Sequence, residues 1–254
     1  MKPFTTLAKL AVVVGLFAFA VAAAQAQVVL TMANSNSTRD EDFSYATYEG
    51  SLEGINLGGD NLAYANLAIA NLTGAILALA DLNYANLSNA NLTGANIHAA
   101  NLTRARLAYA DLTGASLYAA NLTRANLGNA TLTDADLDRA DLSGAHLNGA
   151  NLTSAILTGA DFSSADFSSV NTSYADFCGA NLTNAYFLSS TYFVSGGPFY
   201  DSLTNFTGTG FDPVAAGWTL TGGASVPEPS TYAAIFGTVI LGFAAIDRRR
   251  RKVA

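Results

Sequence analysis

ANLTRARLAYADLTGASLYA, residues 100–119, is four five-residue units in a row, each opening on alanine and carrying leucine in third place. The step of five runs far beyond these twenty residues. From Leu52 to Phe187 it meets 28 positions: 22 Leu, Ile97, the four aromatics Phe162, Phe167, Phe177 and Phe187, and Thr172. Two places earlier, from Ala65 to Ala185, 24 of 25 positions are Ala and the exception is Val170. A period of five matches neither the roughly 3.6 residues of a helix nor the roughly 2 of a strand, so both apolar positions must point inward on a chain that turns as it advances. That predicts a repeat coil. The two exceptions are neighbours: Val170 enlarges a small site where Thr172 shortens a large one, which conserves volume in a close-packed interior.

Units such as Ala-Asn-Leu-Thr-Gly (70–74) and Ala-Asp-Leu-Thr-Gly (110–114) resemble the pentapeptide-repeat family, whose pattern is A(D/N)LXX. The resemblance covers 136 residues, Leu52 to Phe187. It implies an all-β fold, a right-handed quadrilateral β-helix with one pentapeptide per side and about twenty residues per coil. The 28 units would then make about seven coils, and at about 4.8 Å per coil a rod roughly 34 Å long. On one side the inward set would be Leu57, Leu77, Ile97, Leu117, Leu137, Leu157 and Phe177, with Ala95, Ala115 and Ala135 at the small sites of the middle coils. Before Leu52 the phase slips, since Phe43 and Tyr48 are five apart but Tyr48 and Leu52 are four. A bent or incomplete first coil is expected there.

No coil closes its own core, so both ends of the stack need covers. The aromatic-rich stretch Tyr192, Phe193, Phe199, Tyr200, Phe206, Phe211 and Trp218 is the expected C-terminal cap. Phe43, Tyr45 and Tyr48 are candidates at the other end.

The termini carry sorting information. Residues 1–26 hold Lys2 and Lys9, an apolar run from Leu10 to Ala24, and Ala24-Gln25-Ala26, the small-x-small form read by signal peptidase, so cleavage after Ala26 is expected. At the far end Val226-Pro227-Glu228-Pro229-Ser230 precedes an apolar segment, 232–246, and the basic stop Arg248, Arg249, Arg250, Arg251 and Lys252. This order resembles the PEP-CTERM sorting signal of Gram-negative bacteria that make extracellular polysaccharide. The resemblance implies processing by an exosortase-like enzyme, a transient inner-membrane anchor through a transmembrane helix at 232–246, and a final position at the cell surface or outside the cell. The basic tail (248–252) places that end in the cytoplasm and the repeats outside. The expected organisation is a signal peptide (1–26), an N-terminal linker (27–42), the repeat β-helix (43–190), a C-terminal cap and linker (191–222) and a sorting segment (223–254).

Processing at both ends would leave five basic residues of 12 and 17 acidic residues of 19, a net charge near −12. Such a rod is a poor partner for nucleic acid or an anionic membrane surface. Cys178 is the single cysteine, which excludes an intrachain disulfide; following the inward Phe177, it is expected at the surface. His98 and His146 are 48 residues apart, so they share no column of a twenty-residue coil.

No metal, cofactor or catalytic set is recognisable. Asp134, Asp136 and Asp138 are close in sequence, and Asp141 and Asp161 should stack one coil apart. Because the position before the inward Leu is so often Asn or Asp, turn chemistry accounts for them better than acid–base work or cation binding. Thr73, Thr93, Thr113, Thr133 and Thr153 recur at twenty, and Thr103, Thr123 and Thr183 lie in a second column. A hydroxyl row can contact ice or sugar, but Arg104 and Arg124 interrupt the flatness of the second one.

The expected function is therefore that of a non-enzymatic exported structural or interaction protein of the bacterial cell surface or polysaccharide matrix. Signal peptidase and an exosortase-like enzyme would be its processing partners, and homodimerisation stays open. The alternatives are a polysaccharide-binding matrix protein and, against the secretory signal, the acidic DNA-mimic inhibition of topoisomerases known for cytosolic members of the resembled family.

Overall fold

The computed structural model of the chain describes residues 29–30, 42–48, 51–187 and 197–221. The expected signal peptide, the segment 223–254 with its helix at 232–246, and Tyr192 and Phe193 of the expected cap lie outside the described residues. Among the described residues no helix is long and apolar enough to cross a membrane.

One unit shows how the coil is built. Asp111 N–H donates to Ala90 O in the preceding coil at 2.9 Å, while Leu112 N–H and Gly114 N–H donate to Thr131 O and Thr133 O in the next at 2.7 and 2.9 Å. Ala115 N–H closes a turn onto Leu112 O at 3.0 Å, and the remaining amide, Thr113 N–H, donates to the Asp111 carboxylate at 3.0 Å. Every backbone donor of the unit is satisfied, as a chain with a dry interior requires. The unit needs an oxygen-bearing short side chain in front of the leucine for this, which is why Asn and Asp recur there.

Parallel bridges join residues twenty apart along the repeat, for example Asn91 to Asp111 and Asp111 to Thr131. Each turn of the coil therefore takes four five-residue units. Inside lie the leucine and alanine columns: Leu57, Leu77, Ile97, Leu117, Leu137, Leu157 and Phe177 are fully buried, as are Ala95, Ala115 and Ala135. Each buried leucine contributes roughly 1.5 to 3 kcal/mol by transfer from water. Val170 and Thr172 are both fully buried, and the Thr172 hydroxyl has no hydrogen-bond partner among the described residues. One step before the first alanine of that column, Asp60 occupies the same inward site and is also fully buried.

The two ends depart from the period. Asp42 bridges Asn61 and Thr47 bridges Asn66, an offset of nineteen, so the phase slip before Leu52 removes one residue from that turn. Strand β1 (Val29–Leu30), within the stretch expected as a linker, pairs in parallel with β2 (Thr47–Tyr48). After Phe187 the chain re-enters the stack with longer offsets: Asp176 bridges Phe199 and Asn181 bridges Asn205. Strand β3 (Phe199–Tyr200) then pairs in parallel with β4 (Thr219–Leu220), back at twenty.

Aromatic packing covers this end. Trp218 lies 4.7 Å from Phe177 and 5.2 Å from Phe211, centroid to centroid, and Phe211 stacks on Phe187 at 4.3 Å. Tyr200 and Phe206 meet edge to face at 5.7 Å. Phe199 is a wall residue of the coil instead, its N–H donating to Ala175 O at 2.8 Å. Asp201 pins the return. Burial pushes its carboxyl up, but hydrogen bonds from Gly179 N–H, Leu203 N–H and Thr204 outweigh this and hold it below the usual carboxylate range.

Candidate interaction surface

Among the described residues, the side chains with catalytic or ligating chemistry are dispersed or already engaged. Asp141 and Asp161 bridge one coil apart. Asp141 accepts Ser143 N–H at 2.9 Å and the Thr123 hydroxyl at 3.1 Å. Asp161 accepts Ser163 N–H at 2.8 Å and Asn181 Nδ2 at 3.0 Å. Asp136 takes Asp138 N–H at 3.1 Å, Asp138 reaches Arg139 at 3.9 Å, and the carboxyl of Asp134 is raised by burial. Among the described residues no three His, Cys, Asp or Glu side chains converge on a metal position. His98 stacks on Tyr118 at 5.1 Å, whereas His146 stands between Asn126 and Asp166 on another wall.

The threonine rows face the same constraint. Thr73, Thr93, Thr113 and Thr153 each donate their hydroxyl to the Asn or Asp two residues before, at 2.6, 2.7, 2.6 and 2.6 Å. Thr103 and Thr183 do likewise at 2.7 and 2.6 Å. Their protons are turned along the coil wall. Thr133 instead accepts from Asn151 Nδ2 at 3.0 Å, so the rows chiefly brace the coil wall.

Cys178 corrects an expectation. It is buried, not at the surface, because the chain that returns to the stack from residue 197 onward covers that wall and sets Thr221 Oγ1 3.2 Å from the Cys178 sulfur. Burial is the main reason that the thiol is pushed up to about 12, with the carboxylates of Asp176 and Asp201 acting in the same direction. Tyr45 corrects another. Phe43 is buried as a cap residue should be, but Tyr45 is 56% exposed and belongs to the outside of the coil.

There it heads a column that sequence reasoning missed. Tyr45 stacks on Tyr64 at 5.0 Å and Tyr64 on Tyr84 at 4.9 Å, with the rings within 5° of parallel. Arg104 closes the stack, its guanidinium 5.5 Å from the Tyr84 ring centre and hydrogen-bonded to the Tyr84 hydroxyl. Arg124 follows at the next corner. All five residues occupy the fifth place of their units with φ between 56° and 61°, the left-handed conformation that turns the corner and sends the side chain outward. The signal was obscured because Tyr45 and Tyr64 are nineteen apart across the phase slip, whereas Tyr64, Tyr84, Arg104 and Arg124 keep the step of twenty. Arg106 stands two residues beyond Arg104, at the start of the neighbouring wall.

A family model described as pentapeptide repeats matches this chain in eight copies over residues 61–98, 100–139, 135–171 and 160–190, together just over half of its length. Among solved structures, a trypsin-treated form of QnrB1, a plasmid-mediated fluoroquinolone resistance protein, is 22% identical with a TM-score of 0.59 and covers 75% of this chain and 92% of its own. Full-length QnrB1 is 20% identical with a TM-score of 0.56 over 74% and 91% of the two chains. At those identities the likeness concerns the fold alone. HetL, a pentapeptide repeat protein involved in heterocyst differentiation regulation from the cyanobacterium Nostoc sp. strain PCC 7120, is 27% identical over 72% and 84%, with a TM-score of 0.48. No curated protein matches the chain.

Proposed function

Because the chain belongs to the pentapeptide-repeat family, we propose that it is an exported, non-enzymatic structural or interaction protein of the bacterial cell surface or extracellular polysaccharide matrix. The observation that carries this is the pair of sequence ends around the coil. Ala24-Gln25-Ala26 offers a signal-peptidase site, and Val226 to Ser230 followed by 232–246 and Arg248 to Lys252 offers a sorting segment with its stop.

In finer form, the repeat is a right-handed, four-sided rod of about seven coils, roughly 34 Å long if coils stack about 4.8 Å apart. Its polar wall residues mainly hold the turns, which suits a stiff spacer or platform better than a reaction centre. An exosortase-like enzyme reads Pro227-Glu228-Pro229, and the helix at 232–246 anchors the chain in the inner membrane until then.

Deleting Pro227 to Pro229 tests the sorting step. The full chain should reach the surface or medium without its tail, and the deletion variant should stay in the inner-membrane fraction. Equal release of both would contradict the proposal.

A further inference from the structure

Four arginines lie among the described residues, and three of them, Arg104, Arg106 and Arg124, gather at one corner in two successive coils. The only ion pair among the described residues involves the fourth, Arg139 with Asp138. Arg104 and Arg124 thus stand one coil apart, about 4.8 Å along the axis, with like charge and without a carboxylate partner. The nearest acidic walls do not supply one. Asp81 accepts Asn83 N–H, Asn83 Nδ2 and Asn101 Nδ2, and Asp141 accepts Ser143 N–H and the Thr123 hydroxyl. Among the described residues, three of the four arginines thus stand together at one edge without a carboxylate partner.

Beside them runs the tyrosine stack. Stacking covers the ring faces, so Tyr45, Tyr64 and Tyr84 present edges and hydroxyls at steps of 5.0 and 4.9 Å in line with Arg104 and Arg124. The result is a straight polar edge over five coil positions, roughly 19 Å long. Phenol hydroxyls lead along it to guanidinium forks, which bind carboxylates in bidentate fashion. Regular spacing parallel to the rod axis suits a thin polymer with repeating hydroxyl and carboxylate groups. A DNA duplex, with a charge about every 1.7 Å and grooves up to about 12 Å wide, would lie over the flanking carboxylates as well.

We propose that the edge Tyr45–Tyr64–Tyr84–Arg104–Arg124, with Arg106 beside it, binds a single chain of carboxylated polysaccharide. This rests on the export reading for its biological setting, but the binding itself does not. Distant carboxylates of the rod oppose it little, since charges beyond about 8 to 10 Å are screened at physiological salt.

The test uses the full chain in neutral detergent with Arg248 to Arg251 and Lys252 changed to Ser, so that the basic tail does not contribute. Polygalacturonate is the probe, with neutral dextran and duplex DNA as comparisons. Polygalacturonate should bind and dextran should not, added salt should weaken the binding, and the triple variant Arg104→Ala, Arg106→Ala, Arg124→Ala should bind on the order of tenfold more weakly or worse. All three side chains are exposed, so thermal melting should show the variant folded; Arg124→Lys, which keeps the charge, should retain part of the affinity. Absence of polygalacturonate binding, equal binding by the folded triple variant, or tighter arginine-dependent binding of duplex DNA would overturn the proposal. Cell fractionation separates this from the export reading: an exported chain that ignores polygalacturonate refutes the edge alone, and a cytoplasmic chain that binds it refutes export alone.

Discussion

At the scale of single residues, the repeat is governed by what each polar atom can reach. The Asn or Asp before the inward leucine is kept because its oxygen takes the one amide of the unit that no other coil accepts, as Asp111 does for Thr113. Thr172 is the opposite case, a buried hydroxyl without a partner among the described residues. Thr172→Val removes that orphan at nearly constant shape and should raise stability by about 1 to 3 kcal/mol, read as a higher melting temperature; a lower one would show that the hydroxyl is bonded. Cys178, buried and with its thiol pushed up to about 12, stays protonated at pH 8. An aromatic disulfide reagent should label it slowly in the folded protein and rapidly in denaturant. Rapid stoichiometric labelling of the native chain would contradict the covered wall.

At the scale of the five-residue element, the corner sets the cost. Corner residues other than glycine hold φ near +60°, from 52° at Ala99 to 64° at Leu79, and each bears roughly 1 to 2 kcal/mol of left-handed strain that burial of the next leucine offsets. Gly114 isolates this term, because a Cβ built there meets nothing within 4 Å while φ is +63°. Gly114→Ala should lower stability by about 1 kcal/mol without disturbing packing, and an unchanged melting temperature would argue against the corner conformation. The columns of leucine and alanine were legible in the sequence because every unit makes the same local choice. Cys178 was not, since its burial depends on a chain segment that returns only after residues 188–196 and places Thr221 over it. The tyrosine edge was hidden for a related reason: its first step is nineteen residues, so a fixed stride of twenty passes over Tyr45.

At the scale of the whole molecule, no coil is stable by itself and the interior is shared. Leu117 lies in a middle coil with no exposure, so Leu117→Asp puts a charge where neither water nor a partner can reach it and should abolish cooperative melting. A near-normal melt would show that the column is not the core. The same continuity suits the scaffold role proposed above, with aromatic packing over one end. Exposing intact producer cells to protease and sequencing the N-terminus of the recovered mature chain tests the export claim most directly. The account predicts that the repeat domain is accessible from outside and that its chain begins at Gln27; a protected protein that still begins at Met1 would contradict it.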